Sequence, residues 1–303
     1  MRSRSRVAAW VVGLTVTATV LTLGCGGGSQ SGIQLNAVAF GNGTFVAVGQ
    51  SDTSFTNQGS GYQRFTTGVP TLSDVTYSVL NRLFVAVGDG GAIVTSPDGV
   101  TWTQQSPPTS VNLHGVVSAL GLLLAVGDGG TILSSVDGTL WTQRSSGTDA
   151  PLFGVGFGDA TFVAVGGGGA VVISSDAGLS WQATLAGPTN DLNAVAFGTG
   201  GWVAVGQSGL ILQGTTPDAL QVIGISVLPN LNDVIFAQNL FLVVGDNGHV
   251  LNSADGVNYA ASVSNTGQFL FGAAFGDSGF VVVGSGGRVL TSGDASVFQD
   301  GKI

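Results

Sequence analysis

The amino-acid sequence predicts an all-β chain: a seven-bladed β-propeller of four-stranded antiparallel blades, preceded by a signal peptide. Three observations carry that prediction. One phrase recurs seven times, as TFVAVGQ at 44–50, LFVAVGD at 83–89, LLLAVGD at 122–128, TFVAVGG at 161–167, GWVAVGQ at 201–207, LFLVVGD at 240–246 and GFVVVGS at 279–285. Its closing glycines are 39 residues apart with a single slip to 40, and a strand-like period of that size marks propellers and arrays. Each repeat also parses into four short runs of β-branched and aromatic residues, and the mature chain shows no helical period.

Ahead of the repeats, Arg2, Arg4 and Arg6 precede an apolar run from Val7 to Leu23, the order of a bacterial export signal rather than of a fold element. The run ends at Leu21-Thr22-Leu23-Gly24-Cys25, which resembles a bacterial lipoprotein lipobox, with Thr22 where that family prefers Leu. Cys25 is the single cysteine, and acylation after cleavage accounts for a lone thiol in an exported protein. The resemblance implies a signal peptide over 1–24, a lipidated Cys25 and Gly/Ser tether over 25–33, and the propeller over 34–303. The tether GGGSQSG is flexible by composition and spans at most about 25 Å, which keeps the domain close to lipid. By the family's sorting rule, Gly26 after the cysteine implies an exported protein anchored at the outer membrane. The competing readings are an ordinary signal peptide with an incidental cysteine, or an N-terminal membrane anchor.

Gly makes up 51 of 303 residues, and charged residues only 8%, against about 25% in ordinary domains. With 44% hydrophobic content the chain can still bury a large core, so the glycines read as turns. All 17 acids are Asp, whose short carboxylate bonds its own turn backbone. After cleavage 5 basic residues face 17 acids, a net charge of −12, which excludes a phosphate-tracking surface and disfavours nucleic acid as a partner.

Within the unit from Leu72 to Ser110 the four runs are LSDVTY, LFVAVG, AIVTS and VTWTQQ, and equivalent units begin near 35, 72, 113, 152, 192, 231 and 270. The second run lacks polar alternation, so it must be covered on both faces. Neighbouring blades supply that cover, whereas a solenoid needs polar end caps that the sequence lacks. The first run carries Ala37, Asp74, Gly115, Gly154, Ala194, Asp233 and Gly272 at one place, mostly small residues, as expected where blades converge on an axis. The place before it holds Asn36, Ser73, His114, Phe153, Asn193, Asn232 and Phe271. Candidates for the channel mouth are therefore Asn36, Asp74, His114, Asn193, Asn232 and Asp233. No strand remains at one terminus to complete the blade at the other, so ring closure is expected to rest on packing between blades.

Between the third and fourth runs stands a Ser, Asp, Gly and aromatic motif: SPDGVTW at 96–102, SVDGTLW at 135–141 and SSDAGLSW at 174–181. Weaker copies are TPDALQV at 216–222, SADGVNY at 253–259, SGDASVF at 292–298 and, without the acid, TNQGSGY at 56–62. This resembles the Asp-box, or bacterial neuraminidase repeat, of sialidases and sortilin-like receptors. Together with the VAVG and GDGGAI phrases it is most similar to the photosystem II assembly factor-like propellers, over nearly the whole mature chain from about Gln34 to Phe298. A residue repeated in almost every blade serves the ring rather than a single reaction. Asp98, Asp137, Asp176, Asp218, Asp255 and Asp294 are accordingly expected to be structural turn acids. The GDGG phrases keep Gly three places after the VAVG glycine in six of seven copies, which fits a hairpin with one left-handed residue and a bulge. Their carboxylates are too sparse for a calcium loop, and the two histidines fall at different repeat places, so neither a metal nor a cofactor is expected.

Sialidases use an arginine triad, a Tyr with a Glu partner, and an Asp acid; this chain has no Glu and no such triad, so that chemistry is close to excluded. A glycoside hydrolase built on Asp74 and Asp233, at equivalent places on blades 2 and 6, is the enzymatic alternative. The leading reading is a non-catalytic, lipid-anchored, monomeric propeller that binds a protein or glycan through the face carrying the long connecting loops; a surface adhesin or structural module is the third. The resemblance implies a chaperone-like assembly role, although family members implicated in photosystem assembly carry a basic patch that this chain lacks. Asp89, Asp128, Asp246, His249 and Arg288 are the rim candidates, and Asp149 and Asp191 add to the acidity of that face, which favours a basic partner.

Overall fold

The chain forms seven four-stranded antiparallel sheets in a computed structural model that describes residues 33–57, 62–185, 187–223, 229–277 and 279–301. The export signal, Cys25 and most of the first blade's TNQGSGY lie outside those residues. The first strands begin at Leu35, Leu72, Leu113, Leu152, Leu192, Leu231 and Leu270. Blade 3 is typical: its strands are Leu113–Ala119, Leu122–Gly127, Thr131–Ser135 and Thr142–Arg144, paired in sequence order. Successive first strands touch, and that of blade 1 also touches that of blade 7, so the sheets form a closed ring.

Apolar packing between neighbours holds the ring together, and the second strand explains how. In Thr44–Gly49, Val46 and Val48 face blade 2 while Phe45 and Ala47 face blade 7, all fully buried. There is one buried apolar cluster between each pair of neighbouring blades, including blades 7 and 1. A strand packed on both faces has no use for polar alternation, which is why VAVG reads as a continuous apolar run. Each fully buried Val or Phe contributes about 1.5–3 kcal/mol. At the seam no strand is exchanged. The Ile33 carbonyl accepts the Gly287 N–H at 2.8 Å, an isolated antiparallel bridge joins Gln34 to Ser285, and the shared apolar cluster does the rest.

The glycine that closes the phrase is demanded by space. A Cβ on Gly49, Gly88, Gly127, Gly166, Gly206, Gly245 or Gly284 would lie 1.9–2.3 Å from the carbonyl oxygen of the residue before the first strand. That oxygen approaches because it accepts the N–H of the residue after the glycine, as in Gly167 N to Pro151 O at 2.8 Å. The backbone at Gly88 is ordinary extended chain, with φ −170°, so conformational freedom is not the reason.

The turns between second and third strands differ from the expected hairpin. They hold two successive left-handed residues, Gly90 and Gly91 in blade 2 (φ 65° and 77°), closed by Ala92 N donating to Asp89 O at 3.2 Å. Two positive φ values in a row with a four-residue hydrogen bond are type I′ geometry, whose twist suits antiparallel strands. Blade 1 makes the same turn with Ser51 and Asp52 (φ 62° and 53°). There the Asp52 carboxylate accepts Thr67 N, Thr67 Oγ1 and Gly68 N, which offsets the missing glycine.

The closing glycine sets a measurable contrast. Gly166→Ala should destabilise the chain by about 1–3 kcal/mol, because neither backbone can move without breaking a bond. Gly267→Ala, where a Cβ meets nothing within 4 Å, should stay within about 0.5 kcal/mol. Urea midpoints of the two variants measure the difference.

Candidate functional site at the channel mouth

Each first strand carries a β-bulge, seen as a register shift between its Leu and the residue two places on. The extra residues are Asn36, Ser73, His114, Phe153, Asn193, Asn232 and Phe271. Bulges re-aim a side chain out of its sheet, and all seven line one axial cavity of about 270 Å³, together with Asp74 and Asp233. Three asparagines of the ring also tie blades together. Asn36 Nδ2 donates to Leu72 O at 2.7 Å, Asn193 Nδ2 to Leu231 O at 2.7 Å, and Asn232 Nδ2 to Leu270 O at 2.8 Å.

Asp74 and Asp233 occupy the place that Gly or Ala fills elsewhere, and the reason for small residues there is plain. A Cβ on Gly154 would lie 2.6 Å from Asn193 O and 2.9 Å from Ala194 Cα of the next blade. Both carboxyls are held in one pattern. Asp74 accepts its neighbour Val75 N at 2.7 Å and Val116 N of blade 3 at 2.8 Å. Asp233 accepts Val234 N at 2.8 Å and Ala273 N of blade 7 at 2.9 Å. Burial pushes the Asp74 carboxyl up to about 7; the two N–H bonds oppose it, and the charge of Asp233 adds to it. Burial raises Asp233 to about 6, again against its two N–H bonds.

The rim around this mouth is made of the turns between second and third strands. His114 Nε2 lies 2.7 Å from Asp128 Oδ1, and its ring stands edge-on to Phe153 at 5.4 Å. The equivalent pair in blade 6 is Asn232 Nδ2 with Asp246 Oδ1 at 2.9 Å. Asp89 is exposed, and among the described residues its carboxylate accepts no hydrogen bond. His249 Nδ1 turns to Asp246 O at 3.2 Å, while Arg288 pairs with Asp300 of its own blade.

The opposite face carries the Ser-x-Asp-Gly turns. In blade 2, Ser96 Oγ donates to Asp98 Oδ1 at 3.0 Å and accepts Gly99 N at 2.8 Å, while Asp98 Oδ1 accepts Val100 N and Thr101 N. Trp102 Nε1 caps the turn on Gly99 O at 3.2 Å. Asp137, Asp176 and Asp255 repeat the arrangement, and hydrogen bonds hold all three carboxyls below the ordinary range, Asp176 at about 2. Asp294 is lowered mainly by Ser296. Asp218 departs from the expected turn role: among the described residues its carboxylate accepts no hydrogen bond, and the turn closes instead through Ala219 N to Thr216 O at 3.2 Å.

Asn112, Asp191 and Asn230 clasp the mouth-face turns, a role that the sequence reading assigned to none of them. Each sits just before the first-strand Leu and accepts a turn N–H of the preceding blade: Gly90 N at 2.9 Å, Gly168 N at 2.9 Å and Ser208 N at 3.0 Å. The recurrence of Asn or Asp immediately before that Leu is the signal that marks them.

No protein-family model and no curated protein matches the chain. Among solved structures it is similar to YCF48 bound to D1 peptide, with a TM-score of 0.64 and 15% identity over 84% of this chain and 90% of that one. It is also similar to YCF48 from Cyanidioschyzon merolae, at 0.67 and 16% over 86% and 95%. At these identities the likeness establishes a common fold.

The two sets of carboxyls give stability opposite pH dependences. Asp74 and Asp233, raised on folding, contribute fully below about pH 4 and lose that contribution as pH rises through about 6 to 7. The lowered turn acids contribute above about pH 4 and lose it towards pH 2. Thermal melting from about pH 4 to 8 should therefore slope downward in the parent and flatten in Asp74→Asn/Asp233→Asn. The slope is the readout, since an Asn oxygen keeps only part of the N–H bonding.

Proposed function

We propose that this chain is a non-catalytic, lipid-anchored extracytoplasmic propeller whose mouth face binds a segment of a protein partner in an assembly or recognition role. The observation that carries the reading is the exposed Asp89 carboxylate on the mouth face, which no turn of the ring engages. On the far face, Asp98, Asp137, Asp176 and Asp255 are saturated by their own turns, the arrangement expected of Asp-boxes. On the mouth face, among the described residues the exposed Asp89 carboxylate accepts no hydrogen bond, and Asp128 and Asp246 stand half-exposed beside the bulge ring, bonded to His114 and to Asn230 and Asn232. Variable loops and spare charge on a rigid frame are what recognition requires. A structural neighbour is bound to a D1 peptide, which supports a peptide segment as the kind of occupant. The acidity of this mouth calls for a basic segment, and no photosynthetic role follows from the likeness.

The glycosidase alternative is weaker. Asp74 and Asp233 each give both carboxyl oxygens to backbone N–H groups, and the cavity of about 270 Å³ falls below the roughly 300–1,000 Å³ of ordinary ligand sites.

Lipid anchoring at Cys25 and export to the outer membrane belong to the same proposal, on the strength of the lipobox-like LTLGC. Cross-linking the full chain in its native membrane, followed by mass spectrometry, should recover a protein whose capture falls in Asp89→Lys. Hydrolysis across a glycan panel that is lost in Asp74→Asn would replace this reading with the enzymatic one, and retention on cells or matrix polysaccharide alone would favour the adhesin. Cys25→Ser should release the chain from membranes; unchanged retention would rule out Cys25 as the attachment point.

A further inference from the structure

The ring does not need Asp74 or Asp233. At the same place the other five blades carry Ala37, Gly115, Gly154, Ala194 and Gly272 and close on their neighbours without a carboxyl. Two of seven blades, on opposite sides of the axis, thus place an ionisable group in a cavity where small size would suffice. Of the residues lining that cavity none is Lys or Arg, and His114, its one basic residue, is already joined to Asp128. Two carboxyls therefore share a half-open cavity with no basic group committed to them, and Phe153 and Phe271 also line it.

We propose that the channel mouth receives one cationic side chain, Lys or Arg, from the partner, with Asp74 and Asp233 as counter-charges and Phe153 and Phe271 as its aromatic walls. The inference rests on the partner-binding reading above and specifies what the mouth recognises. A cation is drawn to ring faces as well as to carboxylates, and about 270 Å³ suits one long side chain better than a whole small ligand. A coordinated metal ion fits less well, because among the described residues no group of three or more His, Cys, Asp or Glu is placed to hold one. Burial leaves the carboxyls in part protonated near neutrality, so an entering cation displaces protons. The other titratable groups at the site are His114 with Asp128, and Asp246 behind Asn232.

The test titrates the full chain in detergent with end-blocked pentapeptides of glycine carrying a central arginine or lysine, and with their neutral counterparts carrying citrulline or acetyl-lysine. A charged peptide should bind at least about tenfold more tightly than its neutral counterpart. Its affinity should rise from about pH 5 to about pH 8 with proton release. The preference should fall below about threefold in Asp74→Asn/Asp233→Asn and persist in Asp159→Asn, an exposed acid on the far face. Equal binding of charged and neutral peptides, no binding of either, or a preference that survives in the double variant overturns the inference. If that variant does not fold, the pH dependence of the parent decides. A cross-linked partner whose binding ignores its basic residues removes this inference and leaves the proposed function intact; failure to capture any partner removes the proposed function instead.

Discussion

A carbonyl oxygen pressed onto a glycine is the contact from which the rest of this propeller follows. The residue before each first strand folds its C=O over the end of the second strand to bond the next N–H, as Pro151 does over Gly166. Accommodating that approach leaves one extra residue in the first strand, and the extra residue becomes the bulge. The bulge in turn carries Asn36, His114, Phe153 and their equivalents into the axial cavity. Tight backbone packing at the inner end of each blade thus generates the lining of the mouth, so site and scaffold cannot be altered separately there.

Charge is distributed by the same economy. Acids in the Ser-x-Asp-Gly turns are surrounded by N–H groups and keep low pKa values despite lying at the surface. Asp74 and Asp233 also accept two N–H bonds each, yet burial outweighs those bonds and raises them. With two backbone N–H bonds in each case, the opposite displacements come from burial at the axis and from the added side-chain hydrogen bonds at the surface turns. The lowered acids of the Ser-x-Asp-Gly turns keep their charge across the physiological range, and the axial pair is the responsive one.

Much of this architecture was legible because it repeats. The VAVG run announced a strand covered on both faces, and the glycine spacing counted the blades. The ring residues were legible in part: Asn36 and His114 stand out as polar or aromatic side chains next to a small one, which is what a bulge at a crowded axis looks like in sequence. Geometry that depends on partners was not legible. The two left-handed residues of the GDGG turns need a third dimension to distinguish them from one, and Asp52 is recognisable as a substitute for glycine only once Thr67 and Gly68 are seen to surround it. The idle Asp218 differs from its bonded counterparts in the first letter of the motif, with Thr216 where Ser96, Ser135, Ser174, Ser253 and Ser292 each bond their Asp. The pairing of Arg288 with Asp300 joins parts of the blade that the sequence separates.

Every sheet here is built from a single repeat, and the ring shuts at the Gln34–Ser285 seam without borrowing a strand. Structural and genetic units therefore coincide. Recombination between two copies of the repeat adds or removes a complete blade, with its bulge, glycine and turn, and never leaves half a sheet. Such a chain evolves by copying whole sectors and then editing single letters, and the letters that now differ between copies, Asp74 and Asp233 among them, are the record of that editing.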